Sequence, residues 1–186
     1  MNKQEIIELV VTRFPQVHER VAEAWITLAF NQILYEDFRK DPSNFDFYSK
    51  TYKNVAILKD PDTDIYYSTL PQQVVQLPDN AEGVRRINAM KGLMPEFIPL
   101  QRDSWDVFAG LDAGKIDHSI GFSPTNERIE YERNPGISKV RMDLVIPFDK
   151  YDDDDFINIP SGSDLRIIAI VEQLINGTPP ESKLNN

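Results

Sequence analysis

The sequence predicts an α+β protein in which terminal α-helices pack together and an antiparallel β-rich lobe is inserted between them. Three observations predict it. Apolar residues recur at helical spacing near both ends of the chain. The stretch between breaks into short alternating or β-branched runs punctuated by Pro, Asp, Asn and Gly. No internal repeat or long linker interrupts this order. The expected organisation is a helical part at 1–44, a β-rich lobe with one short helix at 45–160, a C-terminal helix at 161–178 packing on the N-terminal helices, and a flexible tail at 179–186.

The first helix rests on Ile6, Ile7, Val10 and Val11, a stripe that stops at Phe14-Pro15 because proline disfavours a helical residue before it. A second helix is expected at 16–39, ending before the turn formers Asp41-Pro42-Ser43-Asn44. Its apolar residues, including Val21, Ala22, Trp25, Ile26, Leu28, Phe30, Ile33 and Leu34, surround most of the cylinder. Such a helix needs cover on most sides. Either it is a central core helix or a neighbouring copy supplies part of the cover.

Strand signals start near Tyr48. Residues 54–59 (NVAILK) and 64–68 (DIYYS) form a hairpin candidate across Asp60-Pro61-Asp62-Thr63. Short strands are expected at 73–76, 83–90 and 97–100, then a short helix at 102–111. A second hairpin joins 118–122 to 128–133. Residues 139–148 make the clearest strand, with Val140, Met142 and Leu144 facing one way and Arg141 and Asp143 the other. The last helix follows a capping-box pattern from Ser161 to Asp164 and carries Leu165, Ile167, Ile168, Ile170, Val171, Leu174 and Ile175 before Gly177 and Pro179-Pro180.

The 186 residues suffice for a buried core, and 41% hydrophobic content is globular. No apolar run reaches the roughly 18 residues a membrane span requires. The N-terminus carries acids within its apolar pattern and does not read as a signal peptide. With no cysteine there is no disulfide, thiolate nucleophile or thiolate metal ligand. A net charge of −10 lacks the basic excess of a phosphate-gripping protein.

Chemistry-bearing patterns are sparse. Asp152, Asp153, Asp154 and Asp155 offer hard oxygen ligands for calcium or magnesium, but they are contiguous, and an EF-hand spaces its ligands and ends in Glu. The run reads as a solvated turn, with a metal-dependent hydrolase or nuclease as the competing use. His18 and His118 have no ligand or base companion at a useful spacing. Phosphate-binding glycine loops and nucleophile elbows do not occur. No catalytic residue, metal ligand or cofactor is therefore assigned. Five apolar-Pro steps, at Leu70, Leu77, Ile98, Ile146 and Ile159, can end strands or shield sheet edges.

The element order, with VVQLPDNAEGVRRI in the lobe and MDLVIPFDKYDDDDFINIPSGSDLRIIAIVEQLI at the close, resembles the head-to-tail connector and ring proteins of tailed bacteriophages. These are adaptors below the portal, such as the tail tubular protein of short-tailed phages and the ring proteins of crAss-like phages. The resemblance implies a structural virion protein of the tail or neck, assembled in the host cytoplasm as a homo-oligomeric ring, commonly a dodecamer. It implies contact with the portal and downstream tail proteins, and passage of genomic double-stranded DNA without specific binding. It carries over no catalytic residue and implies no membrane association.

On this reading the oligomer or portal interface draws on Val21, Trp25, Leu28, Phe30, Ile33 and Leu34 of the second helix. It also draws on Ile167, Ile170, Val171 and Leu174 of the last. The four aspartates form an acidic lumen or rim, since like charge lets DNA slide without sticking. The alternative from another class is a soluble, non-catalytic protein-binding module.

Overall fold

The computed structural model describes residues 1–76, 83–92, 95–109, 118–125, 127–160 and 162–177. The chain forms two compact units, one drawn from Met1–Ser49 and Ile146–Asn186, the other from Lys50–Val145. The expected lobe boundary at 160 therefore moves. Residues 146–160 belong with the helices because Ile146, Phe148, Tyr151 and Ile157 are buried in that unit's core. The expected tail at 179–186 lies outside the described residues.

In the helical unit, α1 (Lys3–Arg13) begins at a capping box. The Asn2 side chain accepts from the Glu5 amide at 2.7 Å, and the Glu5 carboxylate accepts from the Asn2 amide at 2.9 Å. Helix α2 (Glu19–Lys40) starts three residues later than its apolar pattern suggests. A 3₁₀ helix spans Pro42–Tyr48, with Asp41 accepting from the Ser43 amide.

Ile6, Ile7 and Val10 of α1 enter one core with Ala22, Ile26, Ala29, Phe30, Ile33 and Leu34 of α2. Phe30 is its aromatic hub. Tyr48 and Phe148 lie 5.8 Å from its ring centre and Tyr151 lies 6.4 Å away. Each large side chain so buried contributes about 1.5–3 kcal/mol.

Helix α4 (Ser163–Ile175) packs on α2, as the sequence leads one to expect of the terminal helices. Its cap differs from expectation. Gly162 is the N-cap, at φ +86° and without a side-chain cap bond. That shifts the helix start by one residue, so Asp164 cannot sit three positions after the cap. Ser161 lies outside the described residues. Gly177, at φ +67°, follows the helix end in the left-handed conformation that suits glycine.

The other unit is an eight-stranded sheet in the order β1-β8-β4-β5-β6-β7-β3-β2. Its strands are β1 (Ser49–Ala56), β2 (Leu58–Lys59), β3 (Tyr66–Thr69), β4 (Val84–Ala89), β5 (Glu96–Pro99), β6 (Ser119–Pro124), β7 (Arg128–Tyr131) and β8 (Lys139–Val145). The two outermost strands, β1 and β2, are consecutive in the chain and separated only by Ile57, with Asn54 in β1 left-handed at φ +61°. The Ile57 amide donates instead to the Ser138 carbonyl at 2.9 Å. A sheet whose opposite edges are joined by one residue must curl nearly shut.

The hairpin expected from 118–122 to 128–133 forms as β6 and β7, whereas of the one expected from 54–59 to 64–68 only Leu58 and Lys59 pair with β3, because 54–56 belong to β1 beside β8. The sheet is mixed, however, because β5 and β6 run parallel with Glu96 opposite Ser119 and Pro99 opposite Phe122. The connection between them carries a 3₁₀ turn (Arg102–Ser104) and α3 (Trp105–Ala109), as a parallel pair requires a crossover. Residues 73–76 make no named strand. Val75 instead donates to the Val145 carbonyl and accepts from the Gly83 amide. A Cβ on Gly83 would lie 2.5 Å from the Val145 carbonyl oxygen, so only glycine fits there.

A candidate assembly surface on the helical unit

Helix α2 is apolar on two opposite sides. Ala22, Ile26, Ala29, Phe30, Ile33 and Leu34 lie on the side that enters the core. Val21, Leu28 and Tyr35 lie on the opposite side, spaced by seven residues, or about two turns. Their exposures are 42%, 57% and 41%. Trp25 flanks them half-buried, and the Arg39 guanidinium lies over the Tyr35 ring at 5.0 Å. Apolar residues scattered on a surface are ordinary, but three on one line along a helix form a seam.

The ten residues expected at an interface divide accordingly. Phe30, Ile33, Leu34, Ile167 and Val171 are closed off in the core of their own chain, which corrects their assignment to a contact surface. They fell into the expected set because an all-round apolar pattern does not mark which side faces the core. Val21 and Leu28 are outward, and Trp25, Ile170 and Leu174 are half-buried. Tyr35 joins the stripe without having been expected. Its seven-residue spacing from Leu28 was the available signal. On α4, Leu165 is the large outward apolar residue, at 68% exposure.

A polar lock holds α2 in place. Asp37 sits on the core side of α2, where the Tyr48 hydroxyl donates to it at 2.6 Å and Nη1 of Arg166 of α4 is shared between both its oxygens at 2.9 and 3.1 Å. Arg166 also reaches Glu36 at 2.9 Å. Burial pushes the Tyr48 hydroxyl well above its usual range, and the Asp37 carboxylate pushes it further. For Arg166 burial opposes the charge, but Asp37 and Glu36 outweigh it and hold the guanidinium firmly protonated. Charged partners and a buried acceptor make these strong hydrogen bonds.

The aspartate run is outward. Asp152, Asp153 and Asp154 are exposed and Asp155 is half-buried. The segment closes on itself, the Asp155 carboxylate accepting from the Asp152 amide at 2.8 Å. It is also pinned to the chain's start. Met1 accepts from the Ile157 amide, and the Gln4 amide donates to the Asp153 carbonyl. Among the described residues no three acidic or histidine side chains converge as metal ligands would. His18 caps α2, its Nδ1 accepting from the Arg20 amide at 3.4 Å. His118 is exposed beside a recess of about 450 Å³ also lined by Arg133 and Asn134, while Ser119 next to it is buried. No helix among the described residues is long and apolar enough to cross a membrane.

No protein-family model matches the chain, and no curated protein is detectably similar to it.

Proposed function

We propose that this protein is a structural subunit of an oligomeric ring, of the kind that joins the portal vertex of a bacteriophage capsid to its tail and surrounds the DNA passage. The observation that carries the reading is the outward stripe of Val21, Leu28 and Tyr35, which lies opposite the buried face of α2. An aligned apolar seam kept in water favours association. The packing of the terminal helices on each other, with the β unit between them in sequence, matches the order that the resemblance implies.

The electrostatics suit passage of a duplex rather than its capture. The net charge is −10, and Asp152, Asp153 and Asp154 stand in solvent as an acidic rim or lumen. The subunit works as scaffold, with no cofactor. Its partners are other copies of itself, the portal above and tail proteins below, in the virion neck. Mass by light scattering, with negative-stain images of the same sample, tests this. Closed rings are expected. A monomer that persists at high concentration and binds no apolar dye sinks the reading.

A further inference from the structure

We infer that the outward stripe of α2 packs against the outward face of α4 of the next copy of this chain, so that the contact is head-to-tail. The inference rests on the ring reading and names the two surfaces that would meet. A closed ring needs two different patches on each subunit, because a patch that pairs with itself stops at two copies. The helical unit carries two such patches. One is Val21, Leu28 and Tyr35. The other is Leu165, Ala169 and Glu172, exposed on α4 at i, i+4 and i+7 while Ile167 and Val171 are buried on its other side. Since α2 and α4 pack on each other through their inner faces, their outer faces point apart.

The stripe from Val21 to Tyr35 rises about 21 Å and the α4 patch from Leu165 to Glu172 about 10 Å, so the patch covers about half of the stripe. Charge fits the pair. Exposed Arg20 and Arg39 flank the stripe. The face of α4 carries Glu172, with Asp164 half-exposed beside it, and its one base, Arg166, is engaged by Asp37 and Glu36 within its own chain. A basic-flanked seam thus meets an acidic face, which sets both attraction and polarity.

Leu28→Asp and Leu165→Asp test the contact by sedimentation velocity. Both leucines are exposed, so both variants fold, as circular dichroism checks. Each variant alone is expected to lose the assembled species. Mixed, they are expected to give a one-to-one pair, because the intact α4 face of Leu28→Asp accepts the intact stripe of Leu165→Asp. A mixture in which no pair sediments overturns the head-to-tail contact. If Leu165→Asp assembles like the unmodified chain, the stripe meets something else. The inference then falls while the ring reading stands. If the unmodified chain itself stays monomeric at high concentration and binds no apolar dye, both fall.

Discussion

Each unit buries one carboxylate against arginine, but the two arrangements tie together different lengths of chain. In the helical unit, Asp37 is held by Tyr48, 11 residues on, and by Arg166, 129 residues on. In the β unit, Glu130 is 1% exposed and held by Arg128, two residues away on the same strand, at 2.6 and 3.0 Å. Arg102 approaches its other oxygen at 3.2 Å, and Arg128 continues to Asp60. Asp37 fastens the two ends of the sequence into one unit. Glu130 stiffens a strand whose neighbours already hold it through the sheet ladder. The Asp37 cluster closes 129 residues in one bond, whereas the Glu130 cluster combines a bond within its own strand with an onward link from Arg128 to Asp60 across 68 residues, so both clasp distant segments and the first spans the greater distance.

The largest effect expected from this difference comes from Asp37→Ala. It strands the Tyr48 hydroxyl and leaves Arg166, itself partly exposed, with Glu36 alone, at a cost of about 2–4 kcal/mol to the helical unit. The two tryptophans fall one to each unit, Trp25 and Trp105, so a single-tryptophan background reports each separately. The Trp25 transition should drop by more than the Trp105 transition. Equal drops would mean that the units melt as one and the comparison fails.

Alkaline pH offers the next test, and it reaches both units. Burial pushes the Tyr131 hydroxyl up to about 12, only partly offset by its hydrogen bond with Ser68. Its folded value lies above the unfolded value of 10.0, so the stability it contributes is complete below pH 10 and lost as pH rises toward 12. The loss is on the order of 2–3 kcal/mol. Tyr48 is raised in the same sense in the helical unit. Tyrosinate absorbance should gain a late component that rises as circular dichroism falls. Tyr131→Phe should flatten the alkaline loss read at Trp105 and leave that read at Trp25. An unchanged profile in the variant would sink the assignment.

Glu130→Gln sharpens the contrast. Arg128 and Arg102 are partly exposed and regain water when the charge goes, so about 1–2 kcal/mol is expected, confined to the Trp105 signal. A loss as large as that of Asp37→Ala would show that closing distance does not matter.

How much of this was legible follows the same division between local and long-range features. Strand β8 was readable because its alternation is local: Val140, Met142 and Leu144 are buried as the pattern said. The Asp60 turn was readable because its side chain accepts from the Asp62 and Thr63 amides within three residues. What depends on distant partners was missed. The break at Ile57, which sends consecutive strands to opposite sheet edges, answers to the Ser138 carbonyl. The parallel pairing of β5 and β6 was hinted at by a helix between two strand-like runs. Asp37 on the core face of α2 and Arg166 within the apolar run of α4 were missed, although each is a charge in an apolar register. A charge in an apolar register calls for a buried partner. Of the candidate surface, Val21, Leu28 and Trp25 were legible as apolar, but not their direction, because a helix apolar on two sides gives the sequence no preferred inside.

The smallest effect on stability is expected where the effect on assembly is greatest. Leu28→Asp replaces a side chain already 57% exposed, on the face of α2 away from Phe30 and Asp37. Its folding cost should stay within about 0.5 kcal/mol, in the range of ordinary surface changes. Its loss of assembly should match that of no stability variant of comparable size. If Leu28→Asp instead melts the Trp25 signal as Asp37→Ala does, the stripe belongs to the fold. Leu28 would then be supporting the helix rather than waiting for a neighbour. If the variant is stable and still assembles, the stripe is ordinary surface. Only a stable chain that no longer associates separates the two faces of α2 into one that folds the unit and one that joins it to the next.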